Sequence, residues 1–288
     1  MARLGSYIEL ARPGQWIKNG FVLLPLFFAH AMLDPIALRG ALIATASFCL
    51  AASAVYAFND TRDAVRDRAH PDKRQRPIAR GAISAESAQL FSIVLCLAGL
   101  ILAVTASAQV ALVIAIYLAM QLAYSLGLKR IAYLDVLIVA SGFALRIIAG
   151  GLAAAVPLTP WILVMGFLLA LMLALGKRHG DLVHVKDPAA RAATGYDPLT
   201  IEWILAGLAG AVLVAYVFYT ISPEVVMRHG HRALALSTPW VALGVLRYIF
   251  LVFRRGAGGD PSRLAVRDPV LASATLGWLA TLTFILYH

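Results

Sequence analysis

Long uninterrupted apolar runs dominate the chain, at residues 16–33, 38–58, 83–105, 108–127, 133–154, 159–176, 200–221, 234–252 and 268–287. Most approach or exceed the roughly 20 residues that a helix needs to cross a bilayer. None shows the short alternating segments of a membrane β-barrel. An unpaired backbone group in lipid costs several kcal/mol, so runs of this kind are satisfied internally as helices. The pattern predicts an all-α, polytopic membrane protein with nine transmembrane helices. The connections at 34–37, 106–107 and 155–158 are very short, whereas those at 59–82, 177–199 and 253–267 are longer and charged. Residues 1–288 read as a single integral-membrane domain with cytoplasmic polar loops at about 59–82, 126–132 and 177–199.

Composition sharpens this picture. Of the 288 residues, 61% are hydrophobic and 14% are charged. Soluble domains are about half apolar and about a quarter charged. A soluble enzyme, a disulfide-rich secreted domain and a disordered chain are therefore excluded. The net charge of +10 would suggest nucleic acid in a soluble protein. Here 20 of the 25 Lys and Arg residues fall on the N-terminus and alternate loops, so the charge reports topology and anionic ligands. No nucleic-acid partner is expected. The positive-inside rule puts the N-terminus and the charged loops in the cytoplasm of a cell whose inner (plasma) membrane the chain spans. Nine spans then place the C-terminus outside. Ala29-His30-Ala31 resembles a signal-peptidase site, but the long polar-aromatic segment before the first run favours an uncleaved helix. Cys49 and Cys96 lie inside apolar runs and read as small core residues, without metal spacing.

The strongest chemical signal is Asn59-Asp60-Thr61-Arg62-Asp63-Ala64-Val65-Arg66-Asp67. If the second helix continues through it, Asp60, Asp63 and Asp67 share one face. Three like charges there call for a cation. Oxygen ligands at a membrane interface suit Mg²⁺, completed by water and substrate phosphates, so the three aspartates read as metal ligands and catalytic residues for a diphosphate. A solvated acidic turn paired with Arg62, Arg66 and Arg68 is the bland alternative. Pro71 and Pro77 break the helix and fold a basic loop back beside the acids. In that loop Lys73 and Arg76 read as phosphate contacts, while Arg74 and Arg80 read as topological charge. A third cluster runs from Tyr124 to Arg130, followed by Tyr133 and Asp135. Arg146 stands inside a span, where a charge marks function by default; it either meets a substrate anion or pairs with Asp135. Gly176-Lys177-Arg178-His179-Gly180-Asp181 forms a fifth cluster, with Lys177, Asp181 and His184 on one face if the helix continues. Near the N-terminus, Lys18 and Asn19 supply further donors, and Trp16 reads as an interfacial anchor.

These motifs resemble the UbiA-type intramembrane prenyltransferase superfamily over nearly the whole chain. The resemblance rests on NDxxDxxxD (Asn59, Asp60, Asp63, Asp67), on HPxKxxRPIAxG from His70 to Gly81, and on a YSxxLK-like element from Tyr124 to Lys129. It implies nine helices around a central cavity open to lipid. Most members carry a second Asp-rich DxxxD after the sixth helix, where this chain has Lys177-Arg178 and only Asp181. Arg12 to Asn19, Gly142 to Gly151, Gly176 to Asp181 and the late Leu-Ala-Val-Arg-Asp look like the phosphoribosyl-transferring branch. That likeness implies an enzyme moving a 5-phosphoribosyl group from 5-phosphoribosyl-1-diphosphate to a polyprenyl (decaprenyl) phosphate, for cell-wall arabinan. Its expected cofactor is Mg²⁺ on Asp60 and Asp63, with Asp67 in support. Lys18, Asn19, Lys73 and Arg76 would then hold the sugar phosphates, and Lys129, Arg146, Lys177 and Arg178 the lipid phosphate or the 5-phosphate. Asn59 and Tyr124 complete the expected substrate-binding set. An aromatic prenyltransferase is the runner-up, disfavoured by the missing second DxxxD. A lipid-sugar transporter is disfavoured because acids and bases crowd one face. The oligomeric state stays open, a homo-oligomer included.

Overall fold

The computed structural model describes residues 4–69, 71, 73–183, 194–229, 233–255 and 261–287. Two compact units emerge. The first comprises Met1–Gly127 with Leu145–Leu158, the second Leu128–Ala144 with Thr159–His288. Among the described residues eight helices are long and apolar enough to cross a membrane.

In the first unit, α1 (Leu4–Ala11) leads into a 3₁₀ stretch, Pro13–Leu23, and a short α2, Leu24–Phe28. The run expected to form the first span at 16–33 is therefore not one continuous α-helix. Gly20 and Pro25 interrupt it, and both residue types are poor in helix interiors. Next comes α3, Pro35–Arg68, 34 residues long. Asp34 caps it, its carboxylate accepting from Ile36 N at 2.8 Å and Ala37 N at 3.3 Å. At 1.5 Å per residue this helix is about 51 Å long, well beyond a hydrocarbon core of about 30 Å. Its last turns therefore project past the lipid with Asp60, Asp63 and Asp67 still helical, so the predicted polar loop starting at 59 begins only after Arg68. Proteins end helices where the backbone loses its donors, not where hydrophobicity stops, and Pro71 is the first such break.

Helices α4 (Ala85–Ala106) and α5 (Ala108–Leu126) follow. Ser107 both ends α4 and caps α5, its hydroxyl accepting from Val110 N at 3.1 Å. Helix α4 lies close along α3: a Cβ on Gly99 would stand 3.1 Å from the Ser47 carbonyl oxygen. Helix α6 (Leu134–Ala153) contributes its first half to the second unit and its second half to the first. In the first unit, Gly150 lets α6 pass directly over the Val22 backbone, a contact that no side chain would permit.

The second unit contains α7 (Pro160–Val183), α8 (Pro198–Ile221), α9 (Pro223–His229), α10 (Thr238–Arg255), α11 (Pro261–Arg267) and α12 (Pro269–Tyr287). Its core joins Met172, Leu175, Ile201, Leu205, Tyr248 and Leu251 with further apolar residues. Helix α7 runs through Lys177 and Arg178 to Val183, so the loop expected from 177 also starts later than its polarity suggests. Asp197 caps α8 by accepting from Thr200 N at 2.8 Å. Asp268 caps α12 through Val270 N and Leu271 N, and receives Arg247 side-on at 3.1 and 2.8 Å.

Candidate active site

Along the last turns of α3, Ala57, Asp60, Ala64 and Asp67 are all buried. Their spacing of three, four and three residues puts them on one stripe. The alanines pack with Leu10, Ile78, Ile83 and Ala88, so the acids are carried on the packed side of the helix. Asp60 and Asp67 each have side chains only 3% exposed. The chain following α3 folds back along it, as expected from its prolines: Arg68 donates to the Ala79 carbonyl at 3.3 Å, and Arg76 Nη1 reaches Asp60 Oδ1 at 3.0 Å and Asp67 Oδ2 at 2.7 Å.

Arg12 is a second cation on Asp60. One of its terminal nitrogens lies 2.6 and 2.7 Å from the two carboxylate oxygens, and its guanidinium stands 5.1 Å from the centroid of the Tyr56 ring. Its backbone is left-handed, φ 54°, a conformation that costs an L-residue roughly 1–2 kcal/mol. The turn is tied to α3 by Trp16 Nε1 donating to Ser53 Oγ at 3.0 Å and Ser53 Oγ donating to the Ala11 carbonyl at 2.8 Å. Asp63, half-buried, pairs with Arg66 at 3.1 Å. Asn59 Oδ1 is buried and has no hydrogen-bond partner among the described residues. Among the described residues no three His, Cys, Asp or Glu side chains are gathered closely enough to enclose a metal ion.

Farther along the first unit, Arg146 is 6% exposed. Its Nε donates to Asn19 Oδ1 at 2.8 Å and an Nη to the Tyr117 hydroxyl at 3.3 Å. Its guanidinium lies 5.2 Å from the Phe48 ring centroid and 4.9 Å from that of Tyr117. Asn19 also donates to Cys49 Sγ at 3.1 Å. Asp135, weighed from the sequence as a partner for Arg146, is instead held in the second unit by Arg178, whose Nε donates to Oδ2 at 2.7 Å. Tyr196 donates its hydroxyl to the same carboxylate. Burial and this hydrogen bond push the Tyr196 hydroxyl above its usual pKa. His179 is 2% exposed and contacts Glu202 at 2.9 Å.

The predicted residues thus fall into separate groups. Asp60, Asp67 and Arg76 meet directly, and Asn19 meets Arg146. Lys18, Lys73, Tyr124 and Lys129 are half-buried, and Lys177 is exposed. His70, Asp72, His184, Lys186 and Arg191 lie outside the described residues. Arg80, read as topological, pairs with Glu9 at 2.6 Å. Arg12 belongs to the N-terminal segment read as supplying donors, but its place on Asp60 was not foreseen from the sequence. Sequence reasoning also missed Tyr196, for which no local signal exists.

The comparisons with known proteins decide the family. The model of the UbiA prenyltransferase family matches residues 21–267. The chain belongs to the UbiA prenyltransferase family. Among UbiA relatives, decaprenyl-phosphate phosphoribosyltransferase of Mycolicibacterium smegmatis is 35% identical, over 99% of this chain and 93% of that protein. The protein of the same name from Mycobacterium tuberculosis is 33% identical, over 96% of this chain and 93% of that one. A solved UbiA homologue from Archaeoglobus fulgidus, bound to DMAPP and Mg²⁺, superposes with a TM-score of 0.75 at 17% identity, covering 98% of this chain and 99% of that one. At that identity the likeness concerns the fold, which is the all-helical UbiA architecture. The chain is accordingly a multi-pass membrane protein.

Proposed function

We propose that the protein transfers the 5-phosphoribosyl group of 5-phosphoribosyl-1-diphosphate to a long-chain polyprenyl (decaprenyl) phosphate and releases diphosphate. The product is a lipid-linked phosphoribose that serves cell-wall arabinan synthesis. The observation that carries the reading is the division of charge: acids gather at the end of α3, while the end of α7 carries Lys177-Arg178 rather than a second acidic pair. Near-full-length likeness to enzymes named for this reaction supports it. The protein works in the plasma membrane with its charged helix ends on the cytoplasmic side, as its loop charges favour.

The residues at the end of α3 fit a hard divalent cation. The donor set is all oxygen, and the buried Asn59 Oδ1 has no other partner among the described residues. Mg²⁺ needs only one or two carboxylates, the rest of its shell being water and phosphate, so a three-acid cage is not required. Asp60 and Asp63 would hold it, with Asp67 in support. When bound, the ion neutralises charge developing on the departing diphosphate.

The chain's own groups do the rest. Arg76, held between Asp60 and Asp67, is a planar donor for diphosphate oxygens, and Lys73 and Lys18 add point charges. Asn19 fixes the orientation of Arg146 through Nε. Arg146, Lys129, Lys177 and Arg178 are assigned to phosphomonoester groups. The acceptor phosphate is already an anion and attacks the anomeric carbon without a strong general base. Membranes containing the protein, given radiolabelled phosphoribosyl diphosphate and polyprenyl phosphate, should yield labelled lipid. Prenylation of an aromatic acid with no labelled lipid would refute the assignment.

A further inference from the structure

Asp135, at the start of α6, is 1% exposed, and its carboxylate is filled by donors from three parts of the second unit. Oδ1 accepts from Val136 N at 2.8 Å and from the Tyr196 hydroxyl. Oδ2 accepts Arg178 Nε at 2.7 Å and lies 2.5 Å from Nη2. The Tyr196 oxygen in turn accepts the N–H of Tyr133 at 3.0 Å. Tyr133 has φ 66°, a region that bulky residues seldom occupy, and its ring meets Tyr196 edge-on with centroids 4.8 Å apart. Asp197, the cap of α8, fixes the backbone next to Tyr196.

A simple neutralising pair would need only the two charges. Here a neutral hydroxyl and a backbone N–H pin one carboxylate oxygen, so the other is presented to Arg178 at a fixed angle. Arg178 is gripped along its Nε–Nη2 edge. Its Nη1 stands 3.7 Å from the Asp181 carboxylate, an ion pair, and a third of the Arg178 side chain is exposed. An arginine that recognises phosphate works through the orientation of its planar fork.

We propose that Asp135 and Tyr196 are positioning residues that aim the Arg178 guanidinium at a substrate phosphomonoester. This rests on the reaction proposed above, in which both donor and acceptor carry one: the 5-phosphate and the polyprenyl phosphate. The chemistry is shared, and kinetics separate the two sources.

Full-length Tyr196→Phe, Arg178→Lys and the double variant are purified, and initial rates are measured against each substrate in turn, with thermal midpoints in parallel. Tyr196→Phe keeps the ring packing and removes only the hydroxyl. It should raise KM for one of the two substrates about tenfold with kcat nearly unchanged, the pattern of lost uniform binding. Arg178→Lys should raise the same KM at least as much, and the double variant should be no worse than Arg178→Lys. The substrate whose KM moves is the one that Arg178 holds. Asp135→Asn, which preserves shape, should reproduce the shift. Unchanged KM values with a lowered midpoint in Tyr196→Phe would make the cluster structural and overturn the proposal, as would multiplicative effects in the double variant. Wild-type protein that forms no labelled lipid overturns the reaction itself, a separate result.

Discussion

Arg76→Met tests the electrostatic construction of the α3 terminus. Arg76 bridges Asp60 and Asp67 at 3.0 and 2.7 Å, and both acids are 3% exposed. The loss is unequal. Asp60 keeps Arg12, whereas among the described residues Arg76 is the one cation on Asp67. Removing one member of a buried ion pair costs about 3–5 kcal/mol. Arg76 is itself 28% exposed, and solvent screening lowers the expectation to about 2–3 kcal/mol. At about 2 °C per kcal/mol for a chain of this size, the thermal midpoint in detergent should fall by about 5 °C. Asp67→Asn in the same background removes the stranded charge, so the double variant should regain roughly half of that loss. A midpoint in Arg76→Met equal to wild type would refute the reasoning. So would a double variant whose loss is the sum of the two singles.

Four further outcomes follow from the same geometry. Asp60→Asn should abolish lipid labelling and Asp63→Asn nearly abolish it, and full activity in either would reject the metal assignment. Arg146→Lys, which loses the fork that contacts Asn19 and Tyr117, should raise KM for a phosphate substrate about tenfold; a change confined to the thermal midpoint would make its role structural. The Arg247 hydrogen bonds, together with two backbone N–H groups, hold the Asp268 carboxyl down at about 2. A lowered carboxylate pKa stabilises above the ordinary aspartate value of about 4, and that contribution is lost as pH falls through the folded value. The midpoint gap between wild type and Asp268→Asn should therefore stay constant near neutral pH and close as pH falls toward 2. Gly150→Ala drives a Cβ into the Val22 carbonyl and should destabilise by about 2 kcal/mol or more, within the range for overpacking, read as a lowered midpoint.

Much of the fold was legible because apolar runs end where capping residues begin. Helices α4, α5, α6 and α12 start and stop within about two residues of the expected runs, at Ser84, Ser107 and Asp268 among others, a typical margin for element ends. The errors share one cause. Hydrophobicity marks where lipid ends, whereas helices end where hydrogen bonding fails, so α3 and α7 outrun their apolar stretches. Conversely, 16–33 is apolar without being continuous α-helix, because glycine and proline disrupt it. The grouping of Asp60, Asp67 and Arg76 was readable from a helical spacing followed by two prolines. Arg12 lies 48 residues from Asp60, and Tyr196 lies 61 from Asp135. No local pattern links pairs so distant, and the same blindness left Asp135 open as a partner for Arg146.

The single-residue joint at Ser107 constrains how the chain is made. With one serine closing α4 and opening α5, the two segments have no slack between them and are expected to enter the membrane together as a hairpin. Reporter sequences spliced at this joint should scramble the orientation of the two segments.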